Sequence, residues 1–184
     1  MEVYHGTTLH NALDIVNNGI NLNKSKEYLD FGKGFYVTPN INMANNMAKR
    51  AHANEKRKKS LFNISPIVLV FEYEENKSLN YKIFEYEDEE WAKFIISNRV
   101  TPEISESLAF SDNNKNFEYD VIIGGTADGD VASIAANLRY GFMCPKDYIL
   151  NLSDFLKSDG TSYGTQYVFC TEESLSCIKY IRMI

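Results

Sequence analysis

Apolar residues recur along the chain with two different periods, which predict separate helices and strands. From Leu9 to Asn18 they follow the helical period of about 3.6 residues, and Gly19 is a residue type that commonly ends helices. Asn40 can cap a second helix that runs to about Ala53. The remaining predicted helices are Glu87–Asn98, Val131–Tyr140 and Lys146–Leu156.

Continuous runs of β-branched and aromatic residues predict buried strands. The clearest are Pro66–Tyr73 and Tyr119–Ile123, and the second of these ends in Gly124-Gly125. Shorter or weaker strands are predicted at Glu2–Tyr4, Tyr81–Phe84, Thr165–Phe169 and Cys177–Met183. Helices and strands alternate irregularly and show no βαβ repeat, so the predicted fold class is α+β.

Length and composition narrow the class of protein. A chain of 184 residues, with 44% hydrophobic and 24% charged residues, fits one globular domain over residues 1–184. The formal net charge of −6 argues against a broad contact with nucleic acid. No segment approaches the ~18 apolar residues that span a bilayer. The three cysteines lack metal-ligand spacing and are interpreted as reduced, buried thiols, so we expect a cytoplasmic protein without metal or membrane contact.

The candidate chemistry begins in the segment from Tyr4 to Thr7. Here His5 follows a predicted strand and precedes Gly6. A glycine at this place lets a ligand approach the backbone closely and use its N–H and C=O groups. A histidine at a strand end can equally be structural, so this segment alone decides nothing.

Two further segments carry candidate residues. In the run from Asp30 to Thr38, two glycines spaced by one residue predict an unusual turn between aromatic rings. The run matches neither the dinucleotide-binding fingerprint nor the Walker loop. Near the C-terminus, Gln166 opens a predicted strand, which is unremarkable by itself.

Taken together and in this order, these segments resemble the ADP-ribosyltransferase superfamily. The resemblance is to the branch with a His–Tyr–Glu signature, which includes diphtheria-type toxins and the poly(ADP-ribose) polymerases. Within that superfamily the chain is similar to a prokaryotic family with four characteristic motifs. These motifs lie here at Tyr4–Thr7, Asp30–Thr38, Trp91–Arg99 and Tyr119–Gly124, so the resemblance spans nearly the whole chain.

The resemblance implies split antiparallel sheets around an NAD cleft and specific roles for the motif residues. His5 would bind a ribose hydroxyl, the Gly6 backbone would hold the nicotinamide carboxamide, and Tyr36 would stack on the nicotinamide ring. Such roles suit the chemistry, because breaking the glycosidic bond builds positive charge on a ribose that must be held in place. The implied catalytic residues are His5, Tyr36 and Gln166. The implied NAD-binding residues are Tyr4, Gly6, Thr7, Phe31, Gly32, Gly34, Phe35 and Thr38.

The sequence departs from the pattern at Gln166, where many relatives place a catalytic glutamate. A glutamine can hydrogen-bond a ribose hydroxyl, but it can neither deprotonate an acceptor nor stabilise a cation by charge. A carboxylate from Asp120, Asp128 or Asp130 could supply that charge, although such aspartates can also cap the following helix. Asn98 and Arg99 are candidates for contact with a phosphate or a substrate loop; alternatively, Asn98 closes the end of its helix.

Three functions stay open on the sequence alone. The first is a mono-ADP-ribosyltransferase of toxin or effector type that modifies a protein or nucleic-acid acceptor and releases nicotinamide. The second is an NAD glycohydrolase that uses water. The third is a degenerate NAD- or ADP-ribose-binding module that works through a protein partner. A small neutralising or regulatory protein partner is compatible with the first function.

Overall fold

A computed structural model describes residues 1–57, 65–110, 112–127, 129–144, 146–147 and 164–184. The helices in these ranges are α1 (Leu9–Asn18), α2 (Ile41–Arg57), α3 (Glu89–Arg99), α4 (Pro102–Ser107) and α5 (Asp130–Arg139). The strands are β1 (Glu2–Thr8), β2 (Phe35–Val37), β3 (Pro66–Tyr73), β4 (Tyr81–Ile83), β5 (Val121–Gly125), β6 (Thr165–Phe169) and β7 (Ile178–Met183). Short 3₁₀ turns cover Leu22–Lys24 and Glu173–Cys177.

The described strands form two sheets. The first has the order β1-β3-β7 and is antiparallel throughout. The second has the order β2-β6-β5-β4, in which β4 and β5 run parallel and the other neighbours antiparallel. One antiparallel and one mixed sheet, with helices between their strands, agree with the predicted α+β class.

Most predicted elements occur close to their expected positions. The predicted bounds of α1, β3 and β6 are those observed, and Gly19 ends α1 with a φ of 83°. The Asn40 side chain accepts the backbone N–H groups of Asn42 and Met43, which confirms the predicted cap of α2. The strand predicted to end at Tyr4 continues to Thr8. The helix predicted at Lys146–Leu156 lies outside the described residues except for 146 and 147.

The second sheet separates two hydrophobic cores. Alternate residues of a strand face opposite sides of its sheet. Tyr36 and Val168 therefore lie on the side covered by α3 and α5, whereas Phe35 and Phe169 face the first sheet. Fully burying one such aromatic side chain stabilises a fold by about 1.5–3 kcal/mol. Because of this alternation, successive residues of β2 reach both sides of the sheet.

The two sheets meet where β1 lies beside β2. Tyr4 and Thr38 exchange two backbone hydrogen bonds, of 2.8 and 3.0 Å, and form an isolated β-bridge. The described backbone makes no further bond between the two strands. Beyond Tyr4 and Thr38 the two strands diverge, and we call the gap between them the β1–β2 split.

The three cysteines differ in their burial. Cys170 and Cys177 are buried, as predicted, but Cys144 is exposed, so the prediction of buried thiols is wrong for that residue. Burial raises the pKa of Cys170 to about 12, which keeps this thiol protonated and unreactive.

Among the helices that the structure describes, none combines the length and the apolar character needed to cross a bilayer.

Candidate functional site

His5 projects from β1 at the β1–β2 split and contacts β2. Its Nδ1 lies 2.7 Å from the carbonyl oxygen of Tyr36, and its ring stacks on Phe35 with centroids 4.4 Å apart. Because a carbonyl oxygen only accepts, Nδ1 donates and a neutral His5 keeps its lone pair on Nε2. Burial lowers the pKa of His5, and the hydrogen bond to the carbonyl opposes part of that effect. The residue is therefore a neutral imidazole whose Nε2 can accept a hydrogen bond.

A cavity of about 280 Å³ lies beside His5, and we call it the His5 pocket. Ser25, which lines it, clamps Gly34 by donating to its carbonyl at 3.0 Å and accepting from its N–H at 2.9 Å. A Cβ at Gly34 would overlap Val168, so this close approach of strands needs a glycine. The pocket collects five residues expected at the site, namely His5, Thr7, Gly34, Phe35 and Tyr36.

Gly6 directs its backbone into the split. Alternate residues of an antiparallel strand turn their N–H and C=O groups to opposite edges. Since Tyr4 bonds Thr38 at one edge, Gly6 faces that same edge, where His5 already occupies the Tyr36 carbonyl. The α-carbon of Gly6 is covered by α2, because a Cβ there would overlap the carbonyl of Ala44. The glycine therefore admits the helix at its α-carbon and leaves its amide edge directed into the split.

Tyr36 joins the His5 pocket to the turn that precedes β2. Its hydroxyl donates to the Gly32 carbonyl at 2.6 Å and accepts from the Phe31 N–H at 3.2 Å. Burial raises the pKa of Tyr36 well above its usual value, and the nearby Asp30 carboxylate raises it further. The phenol therefore stays protonated and its hydroxyl is used within the turn. Its ring is half-buried and packs against the core beneath α3 and α5.

Asp30 is the centre of a buried polar cluster and was not among the site residues expected from the sequence. Only 5% of its surface is exposed. Its Oδ1 accepts Nε of Arg99 at 2.6 Å and is ion-paired with Nη2 of the same residue. Its Oδ2 accepts the Ala127 N–H at 3.1 Å and Nε2 of Gln166 at 2.9 Å. We call Asp30, Arg99 and Gln166 the Asp30 cluster. Its signal in the sequence is its place at the start of the Asp30–Thr38 motif.

Gln166 is buried and lies near the start of β6, beside the end of β5. Its Nε2 is also 3.4 Å from the carbonyl oxygen of Gly125, which pairs with Thr165 in the register of the two strands. The indole Nε1 of Trp91 donates to that same oxygen at 3.1 Å. The Trp91 indole thus ties α3 to the end of the sheet that carries Gln166.

The two helix residues expected to contact substrate make contacts within the protein. Arg99 pairs with Asp30, as described above. Asn98 is buried, its Nδ2 donates to the Phe94 carbonyl at 2.9 Å, and its Oδ1 accepts the Asn114 N–H at 3.1 Å. These bonds hold both side chains within the protein, and a contact of either residue with a substrate stays a prediction.

The carboxylates near Gln166 differ from those considered from sequence. Asp120 lies just before β5, at the opposite end from Gly124, and accepts from Thr171 Oγ1 at 2.7 Å and from the Asn80 N–H at 2.9 Å. Asp128 lies outside the described residues. Asp30 contacts Gln166 directly.

Glu87 brings a second carboxylate to the same end of the sheet. Its carboxyl group lies against the α-carbon of Gly125, and Oε1 is buried without a hydrogen-bond partner in the described structure. With Gly125 and Thr165 it lines a cavity of about 390 Å³. The structure therefore brings Asp30 and Glu87, rather than Asp120, near the strand end that carries Gln166.

The described residues contain no group of three or more His, Cys, Asp or Glu side chains arranged to hold a metal ion.

A family model described as a protein of unknown function, DUF3990, matches residues 1–180. No curated protein and no solved structure matches the chain. The matched range includes the whole of the His5 pocket and the Asp30 cluster.

Proposed function

The chain belongs to the DUF3990 family of proteins of unknown function, and we propose from its site that it is an NAD-dependent ADP-ribosyltransferase with a macromolecular acceptor. The observation that carries this proposal is the meeting of His5 and Tyr36 at the β1–β2 split, with Nδ1 and the carbonyl oxygen 2.7 Å apart. The His5 pocket lies beside this contact. The Tyr36 hydroxyl binds the Gly32 carbonyl in the turn that follows Asp30.

The groups around the split suit the parts of NAD. Nε2 of a neutral His5 can accept a ribose hydroxyl, because Nδ1 already donates to Tyr36. The N–H and C=O of Gly6 complement a primary carboxamide, which has one acceptor and two donor positions. The ring of Tyr36 offers an aromatic face to a cationic nicotinamide.

The Asp30 cluster suits a reaction that builds positive charge on a ribose. Cleavage of the nicotinamide–ribose bond is favoured by acceptors and negative charge arranged in advance around that ribose. The Gln166 amide offers an acceptor, and the Asp30 carboxylate lies 2.9 Å behind it. Arg99 balances part of the Asp30 charge, so we expect moderate rather than fast NAD turnover.

Two alanine variants test the site. We expect His5→Ala and Tyr36→Ala each to weaken NAD binding by about 1 kcal/mol or more, through a lost hydrogen bond and a lost stacking face. Isothermal titration calorimetry measures the affinity, and circular dichroism checks the fold. The exposed residues His10 and Tyr140 supply His10→Ala and Tyr140→Ala as controls. NAD affinity that is unchanged in both site variants would contradict the assignment.

The fate of the ADP-ribose distinguishes transfer from hydrolysis. Incubation with labelled NAD and a cell extract should place label on a macromolecule if the protein is a transferase. Free ADP-ribose as the sole labelled product would instead indicate an NAD glycohydrolase. No loss of NAD, with any extract or partner supplied, would contradict both enzyme functions.

A second candidate function is an NAD- or ADP-ribose-binding module that acts through a protein partner. It is favoured by the amide at Gln166 and by the hydrogen bonds and ion pair that already engage both oxygens of Asp30. Such a module would bind NAD with measurable affinity and never consume it. Calorimetry followed by chromatography of the recovered nucleotide tests this directly.

A further inference from the structure

The amide of Gln166 has only one orientation that satisfies its neighbours. Its nitrogen faces Oδ2 of Asp30 at 2.9 Å and the Gly125 carbonyl oxygen at 3.4 Å. Both partners are acceptors, so only the NH₂ group can face them. Exchanging the nitrogen and oxygen would set Oε1 against a carboxylate and a carbonyl. The side-chain oxygen is therefore directed away from both.

Asp30 is itself held firmly enough to fix this amide. Arg99 binds its Oδ1 through Nε and Nη2, and the Ala127 N–H binds its Oδ2. These donors come from α3 and from the residues after β5, two elements that pack together in the core. Charge-assisted hydrogen bonds of this kind are stronger than neutral ones and have tighter geometry.

We infer that Asp30 is a positioning residue, which fixes the Gln166 amide so that its Oε1 is presented as a hydrogen-bond acceptor. For the same reason, position 166 requires an amide rather than a carboxylate. The Oε1 acceptor would receive a hydrogen bond from a hydroxyl of the bound ligand. This part of the inference rests on the proposed function, by which the hydroxyl belongs to a ribose. A glutamate at 166 would place two carboxylates about 3 Å apart, where they cannot both be ionised without strong repulsion.

The orientation of the amide can be measured without any ligand. Gln166 is the only glutamine of the chain, so ¹⁵N labelling of glutamine side chains gives a single NH₂ group in the NMR spectrum. We expect its protons to exchange slowly with water in the wild type and faster in Asp30→Asn. Asn116→Asp, at an exposed loop position, should leave the exchange unchanged. Rapid exchange in the folded wild type would overturn the inference.

The requirement for an amide can be measured through stability. We expect Gln166→Glu to lower the urea midpoint at neutral pH and to regain most of it on acidification, when one carboxyl of the pair is protonated. The double variant Asp30→Asn with Gln166→Glu should be more stable at neutral pH than the two single effects predict. Asn116→Asp makes the same amide-to-carboxylate change without such a neighbour. Equal midpoints for Gln166→Glu and Asn116→Asp at neutral pH, with no coupling in the double variant, would overturn the inference.

These experiments separate the positioning role from the proposed function. If Gln166→Glu fails to fold, the exchange of the Gln166 protons in wild type and Asp30→Asn decides the inference alone. In the folded Asp30→Asn variant we expect NAD affinity to fall about tenfold or more, as for a hydrogen bond to a charged group. Slow exchange in a wild type that binds no NAD would leave the positioning role standing and overturn the proposed function. Fast exchange in Asp30→Asn with unchanged NAD affinity would overturn the role toward the ligand.

Discussion

Burial keeps the imidazole of His5 neutral, and one backbone carbonyl fixes its tautomer and its direction. Its contact with Tyr36 requires a hydrogen on Nδ1, and burial lowers the pKa that would add a second one at Nε2. A protonated His5 would lose the acceptor at Nε2 that the proposed ribose contact uses. The state of this one ring therefore links ligand binding and stability to pH.

The lowered pKa of His5 predicts a loss of stability on the acid side. As the pH falls below about 6.5, the unfolded chain takes up a proton at this histidine before the folded chain does. The stability that His5 contributes is therefore present above that pH and declines as the pH falls toward the folded pKa. We expect His5→Gln to flatten this part of the pH dependence, measured as urea midpoints at pH 7.5 and 5.5. The exposed control His10→Gln should keep the slope, and an equal slope in His5→Gln would refute the explanation.

The place of a single residue could be predicted where it depends on the neighbouring residues in the sequence. His5, Gly34 and Tyr36 belong to motifs, and the structure brings all three to one pocket. The partners of Asp30 could not be predicted, because they lie 69, 97 and 136 residues away along the chain. The same reason explains Arg99, whose ion pair depends on a tertiary contact that no local pattern encodes.

At the scale of elements, strong periodicity predicted well and short segments did not. The strands β3 and β6 and the helix α1 have the bounds expected from their apolar patterns. The three-residue strand β2 and the six-residue helix α4 are too short to show a period, so their partners in the fold define them. The site depends on β2, because its neighbouring residues Phe35 and Tyr36 reach the two opposite cores.

The packing of α2 on β1 predicts the effect of a small substitution. A methyl group at Gly6 would overlap the Ala44 carbonyl, and the Ala48 N–H lies close behind it. Backbone atoms cannot move aside as a side chain can, so we expect Gly6→Ala to destabilise the fold by about 1–3 kcal/mol. Chemical denaturation measures the change. Wild-type stability in Gly6→Ala would mean that α2 does not rest on this strand as described.

The end of α3 gives a prediction that separates structure from substrate binding. Asn98 makes two buried hydrogen bonds: its Nδ2 donates to the Phe94 carbonyl within this helix, and its Oδ1 accepts the Asn114 N–H of the loop that packs beside it. We expect Asn98→Ala to lower the free energy of unfolding by about 1–3 kcal/mol and to leave NAD affinity unchanged. Asn116→Ala is the exposed control, and calorimetry with urea denaturation gives both quantities. Weaker NAD binding at unchanged stability would return Asn98 to the role in substrate contact considered from sequence.

On the scale of the whole molecule, the proposed ligand would touch both sheets. His5 and Gly6 belong to the first sheet, whereas Tyr36 and Gln166 belong to the second. Across the split, the described main chains of β1 and β2 are joined only by the Tyr4–Thr38 pair, although each sheet also packs on the shared core. A ligand that binds residues of both sheets would connect them at a place where few main-chain hydrogen bonds do so.

Binding at this place predicts that NAD stabilises the whole fold. A ligand that binds only the folded state at 100 times its Kd adds about 2.7 kcal/mol to the free energy of unfolding. For a domain of this size that corresponds to a rise in Tm of roughly 5–10 °C. Scanning calorimetry should show this rise with NAD and a smaller one in His5→Ala at the same concentration. ADP-ribose and nicotinamide, added separately, show which part of the ligand connects the sheets. A Tm that does not respond to millimolar NAD, in a wild type that also shows no binding heat, would contradict the proposed NAD site.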